Sequence, residues 1–325
     1  MVSLTNKENQ KSHVLIPVLL SVCAIPISML FWLINVIYSV FYSDTKNHLE
    51  EYLVISPWRW LIAVLFPIFM AFWGWKKKSL NISGAISGLF VGFILTLTSF
   101  AHVACLFSFF VTSTKATKFR SHEKKKLEAH FEESSQRSWV HVLCNGGMAT
   151  QLALLYLLDV GCQERPIDFD KYYRSSWLSI GILGAIACSN GDTWASEIGS
   201  VIASTNGGIS WAGLFMSFLG GIIVGLSYYL TILITVDTVV LQLATSQWPV
   251  IIIGGIGGFI GSIIDSVLGA TLQYSGINEK GFIVEHPGKG VKHISGRQIL
   301  DNHSVNLFST VIIGLSLPGI AKLIL

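Results

Sequence analysis

Long uninterrupted apolar stretches constrain this chain more than any other feature. They occupy residues 14–42, 59–75, 84–113, 139–160, 209–236, 247–271 and 306–323, and roughly 20 apolar helical residues suffice to cross a bilayer. Charge is correspondingly scarce. Of the 325 residues 13% are charged and 51% hydrophobic, with a mean hydropathy of +0.59, whereas a soluble domain carries about 25% charged residues. Too little polar surface remains for a water-facing shell. The runs are continuous and lack the period-two alternation of barrel strands. The sequence therefore predicts an all-α polytopic bundle of transmembrane helices. The first run is too long for a signal-peptide core and reads as a retained span, with Pro17 and Pro26 placed to kink it.

The 30 glycines fit the same picture, because glycine destabilises a water-exposed helix but lets membrane helices approach closely. GIGGFIG (255–261) and LGGIIVG (219–225) carry small residues at close-packing spacings, and GIGGFIG and STNGG (204–208) could also form phosphate-cradling turns. Neither is a Walker sequence. The five cysteines are scattered without metal-ligand spacing. A net charge of +3 without basic-aromatic patterning argues against nucleic acid as a partner.

Basic loops predict the topology by the positive-inside rule. Lys7 and Lys11 place the tail 1–13 in the cytosol, ahead of a single membrane domain over 14–325. Lys76, Lys77 and Lys78 mark a cytosolic turn, as do the loops 114–138 and 274–300. Segment 84–113 must then cross an even number of times, as a pair of short helices or a re-entrant hairpin turning near Ser99, Phe100 and His102. A shorter span over about 176–190 completes a count near nine, within a range of seven to ten, and leaves the C-terminus lumenal. No transit peptide is evident, which favours the endoplasmic reticulum or another endomembrane. Small-residue helix faces would allow a homodimer.

On this topology the unusual polar clusters share one membrane face: VTSTKATKF (111–119), CNGG (144–147), SNGDTWASE (189–197), STNGG (204–208), GSIIDS (261–266) and DNHSVN (301–306). Ionisable groups in or beside spans are expensive and point to function. Asp192, Glu197 and Asp265 are candidate ligands for Mg²⁺, which binds one or two carboxylates together with substrate phosphates. Lys118 and Lys115 are candidate phosphate donors at a helix end. Asn145, Asn190, Thr205, Asn206, Ser262, Asp301, Asn302 and Asn306 are candidate supporting groups, although Asp301 could instead cap the last span.

Several strings together resemble the transmembrane protein 19 family, which includes a plant phytyl phosphate kinase. They are LNISGAISGLFVGF (80–93), TSTKATKF (112–119), LCNGGMA (143–149), NGDTWASEIG (190–199), TNGGIS (205–210), GSIIDSVLGATLQYSG (261–276) and DNHSVNLFS (301–309). The resemblance implies an isoprenoid monophosphate kinase working in the bilayer with Mg²⁺ and a nucleoside triphosphate, CTP or ATP. Asp192, Glu197, Asp265 and Lys118 would then be catalytic, with Lys115 and the asparagines around the phosphates. One departure is the short SVIAS (200–204) connection, where relatives carry a longer loop. A membrane transporter of a small or phosphorylated solute is the alternative, since transporters also carry intramembrane carboxylates.

Overall fold

A computed structural model describes residues 26–37, 55–119, 136–199, 210–279, 283–284, 286–288 and 290–325. It is a bundle of α-helices: α1 (Pro26–Ile37), α2 (Pro57–Lys76), α3 (Ile82–Thr98), α4 (Phe100–Lys118), α5 (Trp139–Asp159), α6 (Tyr173–Trp194), α7 (Trp211–Thr235), the short α8 (Thr238–Leu243), α9 (Pro249–Leu272) and α10 (Asn302–Ala321). Leaving out α8, nine apolar helices lie among the described residues, in agreement with the expected span count. Five of them, α2, α5, α7, α9 and α10, are long and apolar enough by themselves to cross a membrane.

The segment 84–113 is two helices that cross the bundle from end to end. Ser99 breaks them with extended backbone (φ −159°, ψ 141°), and its hydroxyl caps α4 by accepting the Ala101 N–H at 3.0 Å. The turn falls at Ser99, three residues before His102. His102 is instead fully buried in α4, its ring nitrogens 3.1 Å from Thr98 Oγ1 and 3.0 Å from Ser179 Oγ. Glu164 pins this turn, accepting from Ser99 Oγ at 2.5 Å, Phe100 N at 2.8 Å and Arg59 Nη2 at 2.7 Å. Arg59 also donates to the Leu97 and Thr98 carbonyls at 3.2 and 3.1 Å. Because Arg59 starts α2 while Lys118 ends α4 beside Lys77, the turn lies at the opposite end of the bundle from the lysines.

Helix α6 forms the axis. It is buried from Ser175 to Gly191 except for half-buried Trp177, and α4, α5, α7, α9 and α10 all pack on it. Its serines and asparagine lower its hydropathy without exposing it to lipid. It is also longer than the expected span of about 176–190. SNGDTWASE is helical throughout, ending in a π turn over Ala195–Gly199.

Glycine lets three helices meet at backbone distance. A Cβ on Gly191 would stand 2.7 Å from Gly258 Cα, and one on Gly261 would stand 2.5 Å from Cys188 Sγ. On the other side of α9, a Cβ on Gly221 would stand 2.2 Å from Gly254 O. The GIGGFIG glycines are therefore helix-packing positions and form no turn.

The segment 274–300 is more ordered than a plain loop. Strands β1 (Ser275–Ile277), β2 (Ile283–Val284) and β3 (Lys292–Ser295) form an antiparallel sheet in the order β2-β1-β3. The Arg297, Ile299 and Leu300 N–H groups then bond to Thr271 O and Leu272 O at 3.0–3.1 Å. The chain is thereby returned against the end of α9, so that α10 begins next to Asp265.

Candidate functional site

Parallel packing of α6 on α9 builds the site. Gly184 lies beside Gly257 and Cys188 beside Gly261, and the same register one turn further on brings Asp192 to Asp265, while Gly191 and Gly258 meet where the helices cross. The two carboxylates are close enough to interact electrostatically, and among the described residues no cation pairs with either. Helix α10 runs antiparallel alongside and supplies the supporting donors. Ser309 Oγ donates to Asp265 Oδ2 at 2.9 Å. With its amide nitrogen turned inward, Asn306 reaches the same oxygen at 3.1 Å and Asn302 O at 3.2 Å.

The other candidates divide by position. Glu197 lies five residues after Asp192, in the π turn over Ala195–Gly199. Among the described residues, no three His, Cys, Asp or Glu side chains converge on one point. Asn190 is fully buried, accepting from Thr112 Oγ1 at 3.0 Å and donating to Gly220 O at 2.8 Å. It joins α4, α6 and α7 and positions its neighbour Asp192. Asn145 donates to His141 O at 2.9 Å, while its own carbonyl accepts from Ser189 Oγ at 3.0 Å. Ser262 is buried in α9 and Asn302 is exposed at the start of α10.

Both lysines lie at the same end of the bundle. Lys115 is exposed, and Lys118 donates to Lys77 O at 2.9 Å, the usual role of a lysine over a helix C-terminus. Asp301 caps α10, accepting the Ser304 N–H at 2.8 Å, and hydrogen bonds from Ser304 hold its carboxyl below the usual range. Thr205 and Asn206 lie in 200–209, outside the described residues, as does the short connection 200–204.

Four residues escaped the sequence reading. Ser309 lies one turn beyond DNHSVN. His141 and His303 meet edge to face with ring centroids 4.4 Å apart, although 162 residues separate them. Arg137 looked like one more loop charge, yet burial pulls it down to about 10, still fully protonated at neutral pH.

A family described as integral membrane protein DUF92 matches residues 65–314. Protein PGR of Arabidopsis thaliana is 38% identical over 273 residues, covering 79% of this chain and 94% of its own length. An uncharacterized membrane protein of Methanocaldococcus jannaschii is 24% identical over 272 residues, 79% of this chain and 92% of its own. No solved structure matches. The described site and all six polar clusters fall inside the matched region, and the chain belongs to the DUF92 integral membrane family, in keeping with its resemblance to transmembrane protein 19.

Proposed function

We propose that this protein transfers a phosphoryl group from a nucleoside triphosphate to an isoprenoid monophosphate at the basic face of the membrane. The observation that carries this reading is the pairing of Asp192 with Asp265 at that face, without a balancing cation among the described residues. Two neighbouring carboxylates favour a divalent cation. The donor set fits Mg²⁺: two carboxylates can hold it while waters and substrate phosphates complete the shell. Bound there, Mg²⁺ would neutralise phosphate charge.

In the transfer, an ionised oxygen of the lipid phosphate attacks the γ-phosphorus. The bond to the β-phosphate oxygen breaks, giving a lipid diphosphate and a nucleoside diphosphate. The acceptor is already an anion, so the chain needs no strong base. Its residues have to orient two polyanions. Ser309 and Asn306 fix the Asp265 carboxylate, and Asn190 fixes the stretch of α6 that carries Asp192. Lys115 and Lys118 add positive potential around the entrance.

The basic end, with Lys76 to Lys78, Lys115, Lys118 and Arg137, is the cytosolic side on the positive-inside rule, where nucleotide is supplied. The N-terminus is then cytosolic and the C-terminus lumenal, in the endoplasmic reticulum or a related endomembrane.

The test uses purified protein in nanodiscs with Mg²⁺. Phytyl, farnesyl or geranylgeranyl monophosphate is paired with ATP, CTP, GTP or UTP, and mass spectrometry follows lipid diphosphate. Product that vanishes in Asp192→Asn and Asp265→Asn is the expected result. Folded protein that makes no product with any pair would overturn the kinase reading and favour transport.

A further inference from the structure

We propose that the crevice between α2, α3, α4 and α5 seats the single apolar tail of the acceptor lipid and that Arg137 binds its phosphate. This deepens the lipid-phosphate reading above and rests on it. A partly open cavity of about 80 Å³ lies between these helices, so the crevice takes a thin, unbranched chain that continues out toward the lipid rather than a bulky ligand enclosed on all sides. Phe66, Met70, Val91, Phe107 and Phe110 are among its walls. The polar exception is one end, where Arg137, His141 and Asn145 meet. A greasy slot with one cationic end is the complement of a single-chain lipid carrying an anionic head.

Arg137 supplies the second, independent observation. The contact its guanidinium makes with a side-chain oxygen is a long one, Nη1 to Thr114 Oγ1 at 3.4 Å, and it lies 5.8 Å from the Phe109 ring centroid. The ion pairs among the described residues are Arg59–Glu164 and Arg174–Asp159, so no described carboxylate neutralises it. Arg59, at the other end of the bundle, shows what a buried arginine ordinarily receives. Arg137 is half-buried at the crevice end, a cation partly withdrawn from water without a counter-ion is costly, and a phosphate offers the two-pronged acceptor that a guanidinium matches.

The head end also adjoins the carboxylate pair. Asn145 O accepts from Ser189, about one turn before Asp192, and Cys144 O accepts from Thr310 Oγ1 at 3.4 Å, next to the Ser309 that bonds Asp265. The first turns of α5 are therefore a common wall, with the crevice on one side and the carboxylates on the other. Gly88 opens the crevice along α3, since nothing lies within 4 Å of where its Cβ would stand.

The experiment is photolabelling in phosphatidylcholine nanodiscs with geranylgeranyl monophosphate bearing a photoactivatable group near the tail end, without nucleotide. The expected label maps to residues 66–92 and 103–110. Unlabelled geranylgeranyl monophosphate should compete about tenfold or more better than geranylgeraniol, as a charge-assisted hydrogen bond implies. Arg137→Gln should abolish that preference, Arg137→Lys should keep part of it, and Gly88→Phe should suppress labelling without altering the melting temperature. Label confined to other helices, a preference unchanged in Arg137→Gln, or equal competition by phosphatidic acid would overturn the proposal. Diphosphate formation with label elsewhere would refute the crevice alone. Label in the crevice with no transfer from any nucleotide would support it and sink the kinase reading.

Discussion

Replacing Gly258 by alanine tests the close crossing of α7 and α9 that supports the site from behind. An added Cβ would stand 2.5 Å from Ser217 O and 3.0 Å from Gly221 Cα. Both atoms are backbone, so no flexible side chain can move aside. Ordinary contact needs at least 3.4 Å, which obliges α7 and α9 to part by roughly 1 Å, a gap that forfeits a quarter to a half of each contact it opens. Overpacking of this kind costs about 1–3 kcal/mol, several degrees in melting temperature. Asp265 lies two turns further along α9, so the shift also disturbs its approach to Asp192 and should raise the Mg²⁺ needed for half-maximal transfer. Thermal unfolding in nanodiscs would compare Gly258→Ala with Gly88→Ala, where the new methyl enters open space and should cost nothing. Equal melting of both variants and the native protein would refute the close crossing of α7 on α9.

Other outcomes follow from the same geometry. Asn190→Ala should cost about 1–3 kcal/mol, because it removes the buried amide that bonds Thr112 and the Gly220 carbonyl and so joins three helices; it should lower melting temperature much more than it raises KM for the lipid. Asp301→Ala should cost about 1 kcal/mol as a lost helix cap, while Asp301→Asn keeps the cap and should leave transfer unchanged; a large loss of activity in Asp301→Asn would return Asp301 to the phosphate site. Since Asp301 titrates below the usual range in the folded protein, its stabilising effect is present above the unfolded carboxylate value near 3.9 and is lost as pH falls through the lower folded value. Only a small loss is expected there, because the group is solvent-exposed, and Asp301→Asn should remove that acid limb from a melting-temperature profile. Glu164→Gln should destabilise by about 3–5 kcal/mol, since it leaves Arg59 buried without its charge partner. Melting that matches the native protein would show that Glu164 does not pin the α3–α4 turn.

Much of the architecture was legible in the sequence because a bilayer accepts few solutions. Continuous apolar runs and basic loops pointed to a bundle of about nine helices with its polar clusters at one end, and among the described residues nine apolar helices are found, with the described clusters gathered at one end. The membrane imposes hydrogen-bonded helices of fixed length, so hydropathy alone comes close to the topology. Asp265, a carboxylate alone in an apolar span, announced itself for the same reason.

Only tertiary packing decided which polar residues act together. Glycine contacts set the register of α6 on α9, pairing Asp192 with Asp265, while Glu197 falls in the π turn that ends α6. Asn190 was spent on an interhelical joint, Asp301 on a cap and Lys118 on the Lys77 carbonyl, roles that composition cannot distinguish from phosphate binding. Arg137 read as a loop charge until four helices closed around it. The sequence determined by itself that the chain crosses the membrane and where its charges gather, because burial in lipid acts on each segment separately. Which charges meet depends on differences of about an ångström in helix-to-helix distance, set by contacts between residues far apart in the chain.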